Sequence, residues 1–316
     1  MRWLRCPLVG GDLRGKIMSL TRRLLSAARD AYDVVGDGPV LGLDASNHVK
    51  VGYLAPPQGV VSGIVNQNAG LVGQIPEGVV LAIRGTTPPN LFHQIPQQVI
   101  LDWAVNAVAQ LIPGRKSFPG KVHAGFFEGF MSLWDQLHPL VDAAINDWTP
   151  SEPGQPLTIH VTGHSKGGAL SALAAWRLRI DYKTTPIIVR TFASARIGNQ
   201  KFAEQYAAAG INHLRYEYDE DIVPHLPLAT QLAEAIGAPK LVALWLARAD
   251  PGYVDIGGLR YIRAGGEIVR EGSGLAKERS DALIARLMAQ GGFSHVINCH
   301  GIRNANDGYV TALYQE

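Results

Sequence analysis

The chain has 316 residues, of which 47% are hydrophobic and 18% are charged, and its formal net charge is +2. This composition is typical of a globular protein with a large buried core, whereas a dedicated nucleic-acid-binding protein would carry a stronger basic surplus. No run approaches the roughly 20 apolar residues that cross a bilayer. No Cys-x-x-Cys, His-Glu-x-x-His or P-loop pattern indicates a metal or nucleotide site, so no cofactor is expected.

The chain begins with a basic segment. Residues 1–29 contain seven Arg and Lys side chains against a single acidic one. Their apolar runs are too short for a secretion signal, so we expect a protein that is cytoplasmic or exported without a recognisable leader. We predict a disordered extension over 1–18 and a single domain over 19–316. The two cysteines, Cys6 and Cys299, allow one disulfide at most and do not define the redox compartment.

Short apolar runs alternate with helical patterns along the rest of the chain. Strands are predicted over residues 49–55, 62–66, 79–83, 157–162, 186–193 and 212–217. Helices are predicted over residues 102–111, 126–147, 167–180 and 199–209. This alternation indicates an α/β fold with a mostly parallel central sheet and helices on both faces. In such sheets, ligand sites collect at the carboxyl ends of the strands.

Two apolar segments interrupt this alternation. Residues 88–101 (PPNLFHQIPQQVIL) are broken by prolines, and residues 228–249 consist of two short, very apolar helical pieces split at Gly237 and Pro239. Each segment is either a packing element of the core or a cover over a site that opens toward an apolar ligand.

Residues 157–176 (LTIHVTGHSKGGALSALAAW) change from a strand pattern to a helical pattern at Ser165. A Gly-x-Ser-x-Gly motif alone is weak evidence, but a strand, a sharp turn and a helix around it match a nucleophile elbow. Gly163 and Gly167 give that turn its clearance, and the helix N-terminus favours developing negative charge. We therefore predict that Ser165 is a nucleophile, which requires a histidine base and an orienting carboxylate.

In a site of this kind the acid follows the serine, and the histidine follows the acid. Three acidic residues at 219–221 follow a predicted strand, and Asp221 is the preferred acid because it lies nearest to the rigid prolines that close the turn. Four histidines follow the serine. One precedes Asp221 and one lies too close to it, which leaves His295 and His300 as candidate bases.

Six separated motifs resemble those of the class 3 lipases, the fungal-lipase-like branch of the α/β-hydrolases. In the family's order they are VVLAIRGTT (79–87), KVHAGF (121–126), VTGHSKGGAL (161–170), TFASARIGN (191–199), DIVPHLP (221–227) and GYVDIGGLRYI (252–262). The likeness covers most of residues 40–316, and the shared order argues against coincidence.

The resemblance implies an α/β-hydrolase fold and a role for each matched position. Ser165 corresponds to the nucleophile and Asp221 to the acid. His300 corresponds to the base, because it precedes Tyr309 as the family's base precedes a tyrosine, although the spacing here is longer. His295 remains the rival.

The resemblance also implies an oxyanion hole. Thr86 would contribute its backbone N–H and its hydroxyl, and Lys166 would contribute the backbone N–H directly after the nucleophile. The family commonly has leucine in place of Lys166, and a cation is unfavourable at a helix N-terminus. We therefore expect the Lys166 side chain at the surface, either in solvent or paired with a carboxylate.

The family's lid lies where residues 88–101 fall, so the resemblance favours a lid over a core element there. Two departures affect the expected shape of the pocket: residues 193–196 (ASAR) lack the usual Gly and Pro, and the shorter family members would not need the insert 228–249. The implied function is a serine carboxylic-ester hydrolase, a lipase that cleaves acylglycerol esters. The alternatives are a phospholipase A1, a short-chain esterase and a non-catalytic lipid-binding protein. The expected partners are a lipid or ester substrate and, transiently, a lipid interface.

Overall fold

The structure is a computed structural model that describes residues 19–43, 50–63, 66–86, 111–114, 117–227 and 252–314. The predicted extension (1–18), lid (88–101) and apolar insert (228–249) lie outside these residues.

Seven helices have both ends within the described residues: α1 (Leu20–Asp30), α2 (Ala124–Asp147), α3 (Lys166–Asp181), α4 (Gln200–Ala208), α5 (Leu275–Met288), α6 (Gly292–Asn298) and α7 (Gly308–Tyr314). Short 3-10 turns occupy Ala31–Asp33 and Val223–His225. The predicted helix 126–147 thus begins two residues earlier. None of the described helices combines the length and the apolar character that would let it span a membrane.

Thirteen strands lie within the described residues: β1 (Gly38–Pro39), β2 (Gln58–Ser62), β3 (Asn68–Ile75), β4 (Gly78–Ile83), β5 (Leu111–Pro113), β6 (Lys121–His123), β7 (Thr158–His164), β8 (Ile187–Phe192), β9 (Gly198–Asn199), β10 (Asn212–Tyr218), β11 (Tyr253–Val254), β12 (Gly258–Ile262) and β13 (Ile268–Arg270).

Nine of these strands form the central sheet, in the order β1-β2-β3-β4-β7-β8-β10-β12-β13. The neighbours from β4 through β7, β8 and β10 to β12 pair in parallel, whereas the pairs at both margins are antiparallel. The predicted mostly parallel sheet is therefore confirmed. The strands β11, β9, β6 and β5 form a second, small antiparallel sheet.

The side chains of β4 show how one strand serves two cores. Val79, Leu81 and Ile83 pack into the core beneath α2, α3 and α4, while Val80 and Ala82 pack into the core beneath α1. This alternation follows from the two-residue period of a strand. A third buried cluster joins α1 and α7 to β8 and β10. Helices therefore cover both faces of the sheet, as predicted.

Two predicted strands are wrong. The segment 49–55 forms no strand over its described residues, and of the described residues of 62–66 only Ser62 lies in a strand, at the end of β2. Gly63 and Asn66 take positive φ angles of 79° and 56° there, which suits a turn and not a strand. Leu111, predicted at the end of a helix, lies in β5.

Candidate active site

Ser165 occupies a sharp turn between β7 and α3. Its backbone angles are φ 60° and ψ −130°, a strained conformation for a residue other than glycine. The turn brings backbone against backbone: a Cβ at Gly163 would lie 2.3 Å from the carbonyl oxygen of Gly167, and a Cβ at Gly167 would lie 2.1 Å from that of Ile83. The two glycines of the motif are therefore required by contact distance.

The loop after β4 passes directly beside this turn. A Cβ at Gly85 would lie 2.2 Å from Tyr32 Oη and 3.0 Å from Ser165 Cβ, so only glycine fits. The next residue, Thr86, has a buried hydroxyl oxygen with no hydrogen-bond partner in the part of the chain that the structure describes. Since buried polar atoms are rarely left unpaired, this hydroxyl is a donor available to a ligand beside Ser165.

His300 and Asp221 form a buried hydrogen-bonded pair. The His300 Nδ1 atom lies 3.0 Å from Asp221 Oδ2 and 3.2 Å from Oδ1. The carboxylate also accepts from the backbone N–H of Val223 at 2.9 Å and from the Tyr309 hydroxyl at 2.8 Å. Because the Nδ1–H points at the carboxylate, Nε2 is left as the proton acceptor of the imidazole.

A second hydrogen-bonded chain connects His300 to the residue before the serine. His164 Nε2 donates to the backbone carbonyl of His300 at 2.7 Å, and its Nδ1 accepts from the Tyr32 hydroxyl at 2.7 Å. The two imidazole rings lie with centroids 4.5 Å apart. Burial, and then the charge of His300, hold the pKa of His164 well below its usual range. The neutral His164 ring therefore connects His300 to the residue directly before Ser165.

The rival histidine lies elsewhere. His295 is 40% exposed and its Nε2 lies 3.0 Å from Glu220 Oε2 and 3.6 Å from Asp219 Oδ2. The Asp221 carboxylate pairs with His300 and not with His295. The geometry thus pairs the expected acid with the expected base and leaves His295 with the two neighbouring acids.

The expectation for the Lys166 side chain is wrong. Its ammonium donates to the backbone carbonyl of Gln67 at 3.0 Å and to Asn68 Oδ1 at 2.8 Å, so it points neither into open solvent nor at a carboxylate. Burial, followed by the charge of Arg84, lowers the pKa of Lys166 to about 8. The start of β3 explains this placement. Gln67 directly precedes the strand and Asn68 is its first residue, and each presents an oxygen acceptor to the Lys166 side chain at the start of α3.

Tyr32 and His164 have contacts here that no sequence pattern predicts, and Tyr309 was informative in the sequence only as the tyrosine that follows His300. Tyr32 and His164 are 132 positions apart, as are many pairs that carry no contact, so no sequence signal could have joined them. Tyr309 lies 88 positions from Asp221. The one available signal was the placement of His164 directly before the predicted nucleophile.

We expect Tyr309→Phe to lower the free energy of unfolding by about 1.5–3 kcal/mol, because its hydroxyl donates to a buried carboxylate. The matched control is Tyr206→Phe. That tyrosine is also fully buried, but its hydroxyl bonds His213 Nδ1 at 3.2 Å, and burial lowers the pKa of His213 to about 3, so the partner is neutral. The control should lose about 0.5–1.5 kcal/mol. Chemical denaturation measures the free energy of unfolding of both variants. Equal losses would contradict the expectation that a hydrogen bond to the Asp221 carboxylate stabilises the fold more than one to a neutral imidazole.

The lowered pKa of Lys166 predicts a pH dependence of stability. Between about pH 8 and the ordinary lysine value near 10.5, the unfolded chain binds the proton more strongly than the folded chain. Stability contributed by this site therefore rises with pH across that window. We expect the free energy of unfolding of the wild type to rise relative to Lys166→Met between pH 8 and about 10. A difference between the two proteins that stays constant across this window would refute the prediction.

Comparisons with known proteins agree with this geometry. The model of the family "Lipase (class 3)" matches residues 80–231. The chloroplastic phospholipase A(1) DAD1 of Arabidopsis thaliana is 28% identical over 161 residues, which are 47% of this chain and 33% of that protein. The secreted mono- and diacylglycerol lipase 1 of Fusarium solani is 32% identical over 114 residues, 36% of this chain and 33% of that protein. The chain thus matches about a third of the length of these relatives.

Solved structures resemble a larger part of the chain. The triacylglyceride lipase of Rhizomucor miehei has a TM-score of 0.58 at 18% identity and covers 88% of this chain and 94% of its own. Another triacylglycerol lipase, described as having a serine protease triad, has a TM-score of 0.58 at 20% identity over 82% and 87% of the two chains. These likenesses show that the chain has the α/β-hydrolase fold of fungal lipases. The family match adds a sequence likeness to the class 3 lipases over residues 80–231, just under half of the chain.

Proposed function

We propose that this chain is a serine hydrolase of carboxylic esters and acts on lipid esters such as acylglycerols, through a single domain of residues 19–316. The observation that carries the proposal is the strained Ser165 turn together with the buried Asp221–His300 pair, which His164, the residue before Ser165, contacts through the His300 carbonyl. The names of the matched lipases support the substrate class.

In the proposed reaction, the Ser165 Oγ attacks the carbonyl carbon of the ester while His300 Nε2 takes its proton. Asp221 holds the imidazole in orientation and stabilises the imidazolium that forms. The imidazolium then passes the proton to the leaving alcohol as the carbon–oxygen bond breaks, which leaves an acyl group on Ser165. Water attacks this acyl-enzyme by the reverse proton transfers and releases the carboxylic acid.

Two groups are proposed to stabilise the oxyanion. One is Thr86, through its backbone N–H and its unpartnered hydroxyl. The other is the backbone N–H of Lys166, the first residue of α3, where a helix has no internal acceptor for that N–H. Donors of this kind act on the charge that develops in the transition state and therefore raise kcat. No cofactor takes part in this scheme.

The acyl and headgroup preference distinguishes two candidate activities. A phospholipase A1 is the second candidate, because one matched relative carries that name. In both cases we propose that residues 88–101 form a lid, and that the apolar segment 228–249 contacts a lipid interface. Hydrolysis of emulsified acylglycerols and of phospholipid vesicles by the full chain would separate the two activities.

We expect Ser165→Ala to abolish hydrolysis of p-nitrophenyl esters, because the variant has no nucleophile. The assay uses short to long acyl chains, and the chain-length profile separates an esterase from a lipase. The control is Ser26→Ala, a buried serine on α1 that bonds the Arg22 carbonyl and the Tyr314 hydroxyl and should retain activity. Full activity of Ser165→Ala would show that the nucleophile is another residue.

We expect Thr86→Val to lower kcat by about 10²–10³-fold with little change in KM, because the hydroxyl acts mainly on the transition state. Thr86→Ser keeps the hydroxyl and should stay within about tenfold of the wild type. Steady-state kinetics on the best p-nitrophenyl ester measures both variants. An equal loss in the two would mean that the hydroxyl has no part in catalysis.

A further inference from the structure

A mixed set of metal-binding side chains lies on the outer side of the acid–base pair. Asp219 follows β10, His295 lies on α6, and Cys299 lies one turn after His295 at the end of that helix. One ligand atom from each lies within 4.8 Å of the other two. No motif spacing in the sequence predicts this set, since the carboxylate comes from a turn 76 positions before the histidine.

The distances in this set match those around a tetrahedral ion. Cys299 Sγ lies 3.5 Å from His295 Nε2 and 3.9 Å from Asp219 Oδ2, and the nitrogen and oxygen atoms are 3.6 Å apart. Zinc bonds of about 2.0–2.3 Å at tetrahedral angles separate sulfur, nitrogen and oxygen ligands by about 3.3–3.6 Å. Shifts of a few tenths of an ångström in these side-chain atoms would therefore bring all three ligands to bonding distance from one ion.

The local charge also favours a cation. Asp219 is adjacent to Glu220, whose Oε2 lies 3.0 Å from His295 Nε2 and which is paired with Arg286. Among the described residues, the Arg286 guanidinium offsets one of these two carboxylate charges. With the Cys299 thiolate that forms on binding, a charge of −2 remains, which a divalent ion would neutralise. Thiol and imidazole ligands select zinc and similar transition metals over the hard ions calcium and magnesium.

We propose that Asp219 Oδ2, His295 Nε2 and Cys299 Sγ bind a zinc-like divalent cation, with water in the fourth position. His295 is 40% exposed, which gives the ion a path from solvent. On binding, the metal–sulfur bond forms and the thiol proton passes to solvent. The ion would join the turn after β10 to the end of α6, the two segments that carry Asp221 and His300.

The test is a titration of the metal-free full chain with Co²⁺, which reports a thiolate ligand through its charge-transfer absorption in the near ultraviolet. We expect this band to saturate at one equivalent and to disappear when Zn²⁺ displaces Co²⁺. We also expect Zn²⁺ to raise the Tm of the wild type. The readouts do not depend on ester hydrolysis, so they stand or fall separately from the proposed function.

Variants assign the ligands. Cys299→Ser should remove the band, and Cys6→Ser, the other cysteine of the chain, should retain it. His295→Gln should weaken Co²⁺ binding by at least about tenfold. The matched control is His138→Gln, since His138 also lies between two carboxylates, 3.7 Å from Asp142 and 3.3 Å from Asp181.

The proposal would be overturned by three results: no band in the wild type, a band that persists in Cys299→Ser, or equal affinities in His295→Gln and His138→Gln. If Cys299→Ser does not fold, the half-exposed His295 and its control decide the question, because neither substitution disturbs the core.

Discussion

The backbone conformation of Ser165 is the constraint on which the rest of the candidate site depends. A residue other than glycine at a positive φ costs about 1–3 kcal/mol and persists only where its surroundings outweigh the strain. Here the buried strand β7 and helix α3 fix the residues on either side. Gly85, Gly163 and Gly167 then let neighbouring backbone approach so closely that no Cβ could be accommodated. Strand packing therefore sets the position of Ser165.

The Asp221–His300 pair depends on contacts between distant parts of the chain. Tyr309, on the last helix, holds Asp221, while Tyr32, just after the first helix, bonds the His164 ring that holds the His300 carbonyl. α1 and α7 pack in the same buried cluster, which brings both tyrosines to one side of the sheet. Since burial keeps His164 neutral, its bonds to both partners do not change near neutral pH.

Although the net charge of the chain is small, two pairs of like-charged side chains lie near the residues of this site. Lys166, directly after Ser165, interacts with Arg84, and the pKa of each is lowered mainly by burial. Asp219 and Glu220 directly precede Asp221, and there burial and the charge of Glu220 raise the pKa of Asp219. Each pair holds two like charges in partly buried positions, which lowers the stability of the fold. Such costs are common where a protein binds ligands.

The sharp turn at Ser165 was predictable from the sequence, because a strand pattern precedes it, two glycines flank it and a helix pattern follows it. The parallel sheet followed from the alternation of elements, and Asp221 from its position in a proline-closed turn. Only the tertiary structure showed that Asp221 pairs with His300 and not with His295, which oxygens Lys166 bonds, and that Asp219 lies near Cys299. The physical reason is that these contacts join residues far apart in the chain, and only the packing of helices on the sheet brings them together.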